Sequence, residues 1–230
     1  MNVVVLLGAP GAGKGTQAPL LATRLGIPVV ATGDLFRAAV RDGTPLGLEA
    51  RRYMDAGQLV PDDITVRLLL ERLGRPDAAE GVILDGFPRT GVQAKALDAA
   101  LDERDSGVCA AVLVEVPEEE LVRRMSGRWI CRAAGHPYHE VSSPPHVAGI
   151  CDLDGSELYQ RSDDRPETIR VRLAQQLGSL DEVLEHYRGS GVLRAVDGLQ
   201  PIDEVAAAIT DAVAEAGLAP RSRTTGGAAR

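Results

Sequence analysis

Aromatic side chains are scarce: the 230 residues include one Trp, two Phe and four Tyr, so a core must be built from Val, Leu, Ile and Ala. Lysine is rarer still among the charged residues, with Lys14 and Lys95 alone in a chain that otherwise uses arginine. Cys109, Cys131 and Cys151 are few and odd in number, which argues against structural disulfides. No apolar run is long enough to span a bilayer. The first residues read at once as a strand, so no signal peptide is expected. Positive charge is also in deficit. A formal net charge of −8 counts against nonspecific nucleic-acid binding and against attraction to an anionic membrane. An anionic substrate would have to be held by local arginine clusters. These exclusions fit a cytoplasmic enzyme, long enough to bury a sizeable core in one main domain with room for insertions.

What is present is most concentrated at residues 8–16, Gly-Ala-Pro-Gly-Ala-Gly-Lys-Gly-Thr. An apolar run, 3–7, delivers the chain to this turn, and a helical pattern follows it. Backbone N–H groups in such a turn point at a polyphosphate. Lys14 adds a compact positive charge, and the helix N-terminus adds its dipole. Gly15 follows Lys14, with Thr16 one step later, so the usual hydroxyl contact to magnesium is not expected here.

Five short apolar runs, 3–7, 28–31, 82–85, 110–116 and 192–197, are mostly continuous rather than alternating, as strands covered on both faces should be. Helical periodicity separates them, with Val66, Leu69, Leu70 and Leu73 on one face and Ile169, Leu173, Leu177, Leu180 and Leu184 on another. The pattern predicts an α/β fold with a five-stranded parallel sheet, its ligands bound beyond the carboxyl ends of the strands. Two stretches interrupt it. Residues 31–60 carry helices and no strand. Residues 127–164 hold prolines, glycines, histidines and two cysteines, and read as an inserted lid. The tail 220–230 has nothing to bury and should be disordered.

Asp85 ends an apolar strand beside the phosphate turn, where a carboxylate organises Mg²⁺ directly or through water. Arg37, Arg89, Arg124, Arg128, Arg161 and Arg172 form the second constellation. They stand next to turns such as Gly-Phe-Pro-Arg, Ser-Gly-Arg and Arg-Ser-Asp-Asp. Phosphoryl transfer needs positioned positive charge more than covalent chemistry, and the guanidinium fork suits phosphate oxygens. Asp163 and Asp164 either orient Arg161 or cap a helix.

Together, residues 8–17, Thr-Gly-Asp at 32–34, Gly-Phe-Pro-Arg-Thr at 86–90 with Gln93, and the pair Arg161 and Arg172 resemble adenylate kinase in its long-lid form. The resemblance runs over residues 2–218. It implies a P-loop three-layer core (1–30, 61–126 and 165–219), a nucleoside-monophosphate subdomain at 31–60 and a lid at 127–164. By the same resemblance Gly11, Ala12, Gly13, Lys14, Gly15 and Thr16 hold ATP phosphates, with Arg124, Arg128, Pro137, Tyr138 and Gln200 on the ATP side. Thr32, Arg37, the backbone of Gln58, Leu59 and Val60, the segment Gly86, Phe87, Pro88 and Arg89, and Gln93 face AMP. Arg161 lies toward AMP, and Arg128 and Arg172 clamp the transferred group. Thr90 and Gln93 resemble the pattern that selects AMP. The implied reaction is reversible Mg²⁺-dependent transfer from ATP to AMP giving two ADP, by a monomer acting on small nucleotides.

In the lid, zinc-bearing relatives of this kind carry Cys-x-x-Cys followed by Cys-x-x-Cys or Cys-x-x-Asp. Here the set is Cys131, Ala134, Cys151 and Asp154, one ligand short of a closed tetrahedral site. The lid is therefore expected to fold without a fully occupied zinc site, on packing of Trp129, Ile130, Tyr138 and Val141. The alternative is a fourth ligand from His136 or His139. Two other readings of function stay open at this stage: a GTP:AMP phosphotransferase, and a noncatalytic nucleotide sensor, whose mark would be a lost Lys14 or arginine clamp.

Overall fold

The computed structural model describes residues 1–161, 164 and 166–218. The expectations for Asp163 and for the tail 220–230 lie outside the described residues. The element order is β1 (Asn2–Leu7), α1 (Lys14–Leu25), β2 (Val29–Ala31), α2 (Thr32–Arg41), α3 (Pro45–Asp55), α4 (Asp62–Leu73), β3 (Gly81–Asp85), α5 (Gly91–Asp102), β4 (Gly107–Glu115), α6 (Glu118–Ser126), β5 (Arg128–Cys131), β6 (Pro137–His139), β7 (Leu158–Tyr159), α7 (Pro166–Gly189), β8 (Leu193–Asp197) and α8 (Ile202–Glu215).

All five apolar runs become strands of one parallel sheet, in the order β2-β3-β1-β4-β8. β1 is central, and its side chains divide by parity. Val4 and Leu6 enter one core with α1, α6, α8 and part of α7, while Val3, Val5 and Leu7 enter a second with α4, α5 and the rest of α7. That is why the run could be apolar at every position. A register shift between Val3 and Val4 lets β4 follow, so that Val108 joins one face while Ala110, Val112 and Val114 serve the other.

The two interruptions have small cores of their own. Phe36, Ala50, Val60 and Ile64 pack together across α2, α3 and the start of α4. In the lid stretch β6-β5-β7 form an antiparallel sheet over Cys131, Tyr138, Cys151 and Leu158. Trp129 packs there as expected and Ile130 is buried, but Val141 is 71% exposed. No helix among the described residues is long and apolar enough to cross a membrane.

Candidate functional site

The loop after β1 turns on Gly8, Gly11 and Gly13, with φ of 135, 86 and 98°. A Cβ on Gly8 would lie 2.7 Å from the Val114 carbonyl oxygen, and one on Gly11 3.0 Å from that of Leu121. Both positions require glycine for conformation and for space. Gly13 is the N-cap of α1 and supplies no side-chain cap; the Thr16 N–H turns back to the Gly13 carbonyl at 2.9 Å, and the N–H groups of Lys14 and Gly15 ahead of it face the end where an anion would sit. Lys14 folds back over the loop and donates to the carbonyls of Gly8 at 2.7 Å and Ala9 at 3.0 Å. Burial lowers its pKa to about 8, against the pull of Asp85 and with the push of Arg89, Arg172 and Arg128. Three predicted arginines and the predicted carboxylate thus converge on one ammonium.

Asp85 ends β3 beside β1, paired in register with Leu6. Its Oδ2 lies 3.5 Å from where a Cβ on Gly15 would sit. The carboxylate therefore faces the loop across a position kept bare by glycine. It fits a role at a hydrated Mg²⁺ carried by the triphosphate.

Arg128 begins β5 and Arg172 lies in the second turn of α7. Both reach Asp164, whose side chain is wholly buried. Arg128 engages both carboxylate oxygens, with Nε at 2.8 Å, and Arg172 adds a bond at 3.0 Å. Arg161 is half-buried nearby, and its carbonyl accepts the Asp164 N–H at 3.1 Å. From sequence, this aspartate is expected either to orient the Arg161 guanidinium or to cap a helix. Its bonded guanidinium partners are instead Arg128 and Arg172, which the fold brings in from 36 and 8 residues away.

Among the residues expected to face AMP, Thr32 is buried and donates to the Gly86 carbonyl at 2.8 Å, and Arg89 Nε donates to the same oxygen at 2.7 Å. Arg37 is held by Asp34 at 2.6 Å and lies across Gly33, where a Cβ would meet it at 2.9 Å. Gln93 accepts from Arg89 N–H and donates to Asp62, both at 2.8 Å. Asp62 escaped the sequence reading; its only local signal is an acidic first turn on α4. Gly57, φ 70°, seats the turn before Gln58 on α7: a Cβ there would meet Thr168 at 2.8 Å and Arg172 at 2.9 Å. Phe87 and Val60 bury their side chains in the cores, so only their backbones remain for a ligand.

Among the residues expected on the ATP side, Arg124 donates to Glu120 at 2.7 Å and to the Gly198 carbonyl at 3.0 Å. This places it against the turn that carries Gln200, itself bonded to Asp197 at 2.7 Å. Pro137 is exposed on β6. Tyr138 packs its ring in the lid core as expected, and its hydroxyl meets Cys151 Sγ at 3.4 Å and accepts the Asp152 N–H at 2.7 Å. Its side chain is thus engaged within the lid.

The ligand gap at Ala134 is closed by His136. Single donor atoms of Cys131, His136, Cys151 and Asp154 all lie within 4.8 Å of one another. His136 Nδ1 is 3.3 Å from Cys151 Sγ and 3.4 Å from Asp154 Oδ2. Cys131 Sγ is 3.1 Å from Asp154 Oδ2. The turn between β5 and β6 folds His136 inward, while His139 is occupied elsewhere, its Nδ1 accepting the N–H groups of Val141 and Ser142. Two thiols, one imidazole and one carboxylate fit a tetrahedral zinc ion, with both cysteines buried as a structural site requires.

A profile of the family described as adenylate kinase matches residues 6–192. The adenylate kinase of Staphylococcus epidermidis strain RP62A is 49% identical over 211 residues, 92% of this chain and 98% of the relative. That of Staphylococcus aureus strain Mu50 is 48% identical over the same shares. The profile match takes in the phosphate loop, both inserted stretches, Asp85, Arg89, Arg128 and Arg172. The chain belongs to the adenylate kinase family.

Proposed function

We infer that the chain transfers a phosphoryl group reversibly from ATP, carried with Mg²⁺, to AMP, giving two ADP and balancing the adenine nucleotides. The convergence of Asp85, Arg89, Arg128 and Arg172 on Lys14 carries this reading. ATP lays its phosphates along 11–16, with its base between Arg124 and the turn at Gln200. AMP enters beyond β2 and β3, against Thr32, Arg37, Gly86, Arg89 and Gln93. Asp85 would hold the hydrated Mg²⁺ that accompanies ATP, and the ion would supply neutralisation of phosphate charge. The AMP phosphate is already an anionic nucleophile, so no general base is required. Lys14, Arg89, Arg128, Arg161 and Arg172 align two polyanions in line and meet the charge that develops on the transferred group.

Residues 31–60 and 127–164 act as the two closing subdomains over the core. Closure excludes water, which would otherwise compete with AMP as acceptor. Cys131, His136, Cys151 and Asp154 would hold a structural zinc ion, which would brace the lid sheet. A coupled ADP-formation assay over pairs of NTP and NMP tests the reading. ATP with AMP should be the best pair, GTP a poorer donor, and CMP and UMP poor acceptors; equal use of GTP identifies a GTP:AMP phosphotransferase instead.

A further inference from the structure

We propose that Asp62 sets the purine selectivity of the acceptor site by holding the Gln93 carboxamide in one orientation, an inference that rests on Gln93 facing the AMP base. Gln93 lies in the first turn of α5, just beyond the carboxyl end of β3, and is buried. Its Oε1 accepts the Arg89 backbone N–H at 2.8 Å, and its Nε2 donates to Asp62 Oδ1 at 2.8 Å. The other Asp62 oxygen accepts the Thr90 hydroxyl at 3.1 Å, and Thr90 Oγ1 in turn caps α5 by accepting the Gln93 N–H at 3.1 Å. A carboxamide is nearly symmetric in shape, so its neighbours decide which end is oxygen. Turned over, it would set Nε2 against a backbone N–H and Oε1 against a carboxylate. Two hydrogen bonds would become two repulsions at a buried site. Asp62 is therefore a positioning residue that acts on the substrate through Gln93.

The consequence follows from the bases. The amide has two N–H donors and two oxygen lone pairs, and the lock uses one of each. One donor and one acceptor remain, in a fixed order. A 6-aminopurine presents a ring-nitrogen acceptor beside an amino donor. A 6-oxopurine presents a ring N–H donor beside a carbonyl acceptor, the opposite polarity on the same shape. An amide free to turn over satisfies either edge; a locked amide satisfies one and leaves polar groups unpaired against the other. Asp62 thereby separates AMP from IMP and GMP, which share its ribose phosphate and bicyclic ring.

The test measures ATP-dependent phosphorylation of AMP and IMP by the wild-type chain and by Asp62→Ala, Asp62→Asn and Asp63→Ala, with folding followed by circular dichroism. Asp62→Ala should lower the AMP-to-IMP ratio of kcat/KM by ~5- to 10-fold, mostly through KM. Asp62→Asn should keep the ratio, because its Oδ1 still accepts from Gln93 and its amino group can donate to Thr90. Asp63→Ala, an exposed acid in the same helical turn, should also keep it. A ratio unchanged in Asp62→Ala overturns the proposal, as does an equal fall in Asp63→Ala, which would assign the effect to the charge at the helix terminus. Asp62→Ser, too short to reach Gln93, replaces the alanine variant if that chain does not fold. A wild-type chain unable to phosphorylate AMP overturns the functional reading itself.

Discussion

Arg172 of α7 donates at 3.0 Å to the same Asp164 oxygen that Arg128 of β5 engages, so one buried carboxylate holds an arginine from the lid stretch and one from the core. Two guanidinium groups repel each other when no anion lies between them. Asp164 supplies that anion and sets their separation before a phosphate arrives. Asp164→Asn keeps the shape and removes the charge. It should lower kcat on the order of 10- to 100-fold, since small misplacements of a clamp cost that much, while KM for AMP changes far less. Steady-state kinetics of the folded variant check this; an unchanged kcat would show that substrate alone orders the pair.

Lys14 gives a pH signature. Its pKa of about 8 lies below the ordinary lysine value because the ammonium is buried. The free chain therefore sheds this proton as pH rises through 8. A polyphosphate against Nζ favours the charged form and raises the pKa. ATP binding at about pH 8.5 should accordingly take up a proton, and affinity should fall as pH rises above about 8. Calorimetry in two buffers of different ionisation enthalpy measures the uptake. It should vanish in Lys14→Met.

Zinc is expected in the lid at one ion per chain. Elemental analysis of protein purified without a histidine tag checks this, and His136→Ala should lose the ion while His139→Ala retains it. Removing the metal with a chelator should lower the melting temperature, because an ion there would crosslink the turn after β5 to the segment before β7. A metal-free chain with an unchanged melting temperature would return the lid to a hydrogen-bonded sheet.

Gly57→Ala should couple stability to the site. The residue has φ 70°, and its Cβ would stand 2.8 Å from Thr168 Cγ2 and 2.9 Å from Arg172 Cγ. Backbone strain and overpacking together cost ~1–3 kcal/mol. For a chain of this size that is about 2–10 °C in melting temperature. Because Arg172 must give way, kcat should fall as well. A variant with normal melting and turnover would mean that the turn lifts off α7 at no cost.

The sequence by itself determined whatever is written in contiguous residues. The phosphate loop is one nonapeptide, and its glycines are required by local φ and by close backbone approach. The five strands declare themselves because a strand covered on both faces is apolar throughout. Asp85 is legible as the end of such a strand. Partners distant in the chain were decided only by tertiary structure. Asp62 and Gln93 stand 31 residues apart, Arg128 and Asp164 36 apart, and nothing local to any of them names the other. Asp164 could be read as a helix cap or as a partner for Arg161, and the fold brought Arg128 from the start of β5 and Arg172 from α7 to its carboxylate. The lid makes the same point at closer range. His136 and His139 both stood near the gap by spacing, and pairing of Arg128 with His139 in the β5–β6 sheet leaves His136 in the turn, where it folds in beside Cys151. Local sequence specifies backbone conformation and burial; which side chains meet is set by strand register and helix packing, which depend on the whole fold.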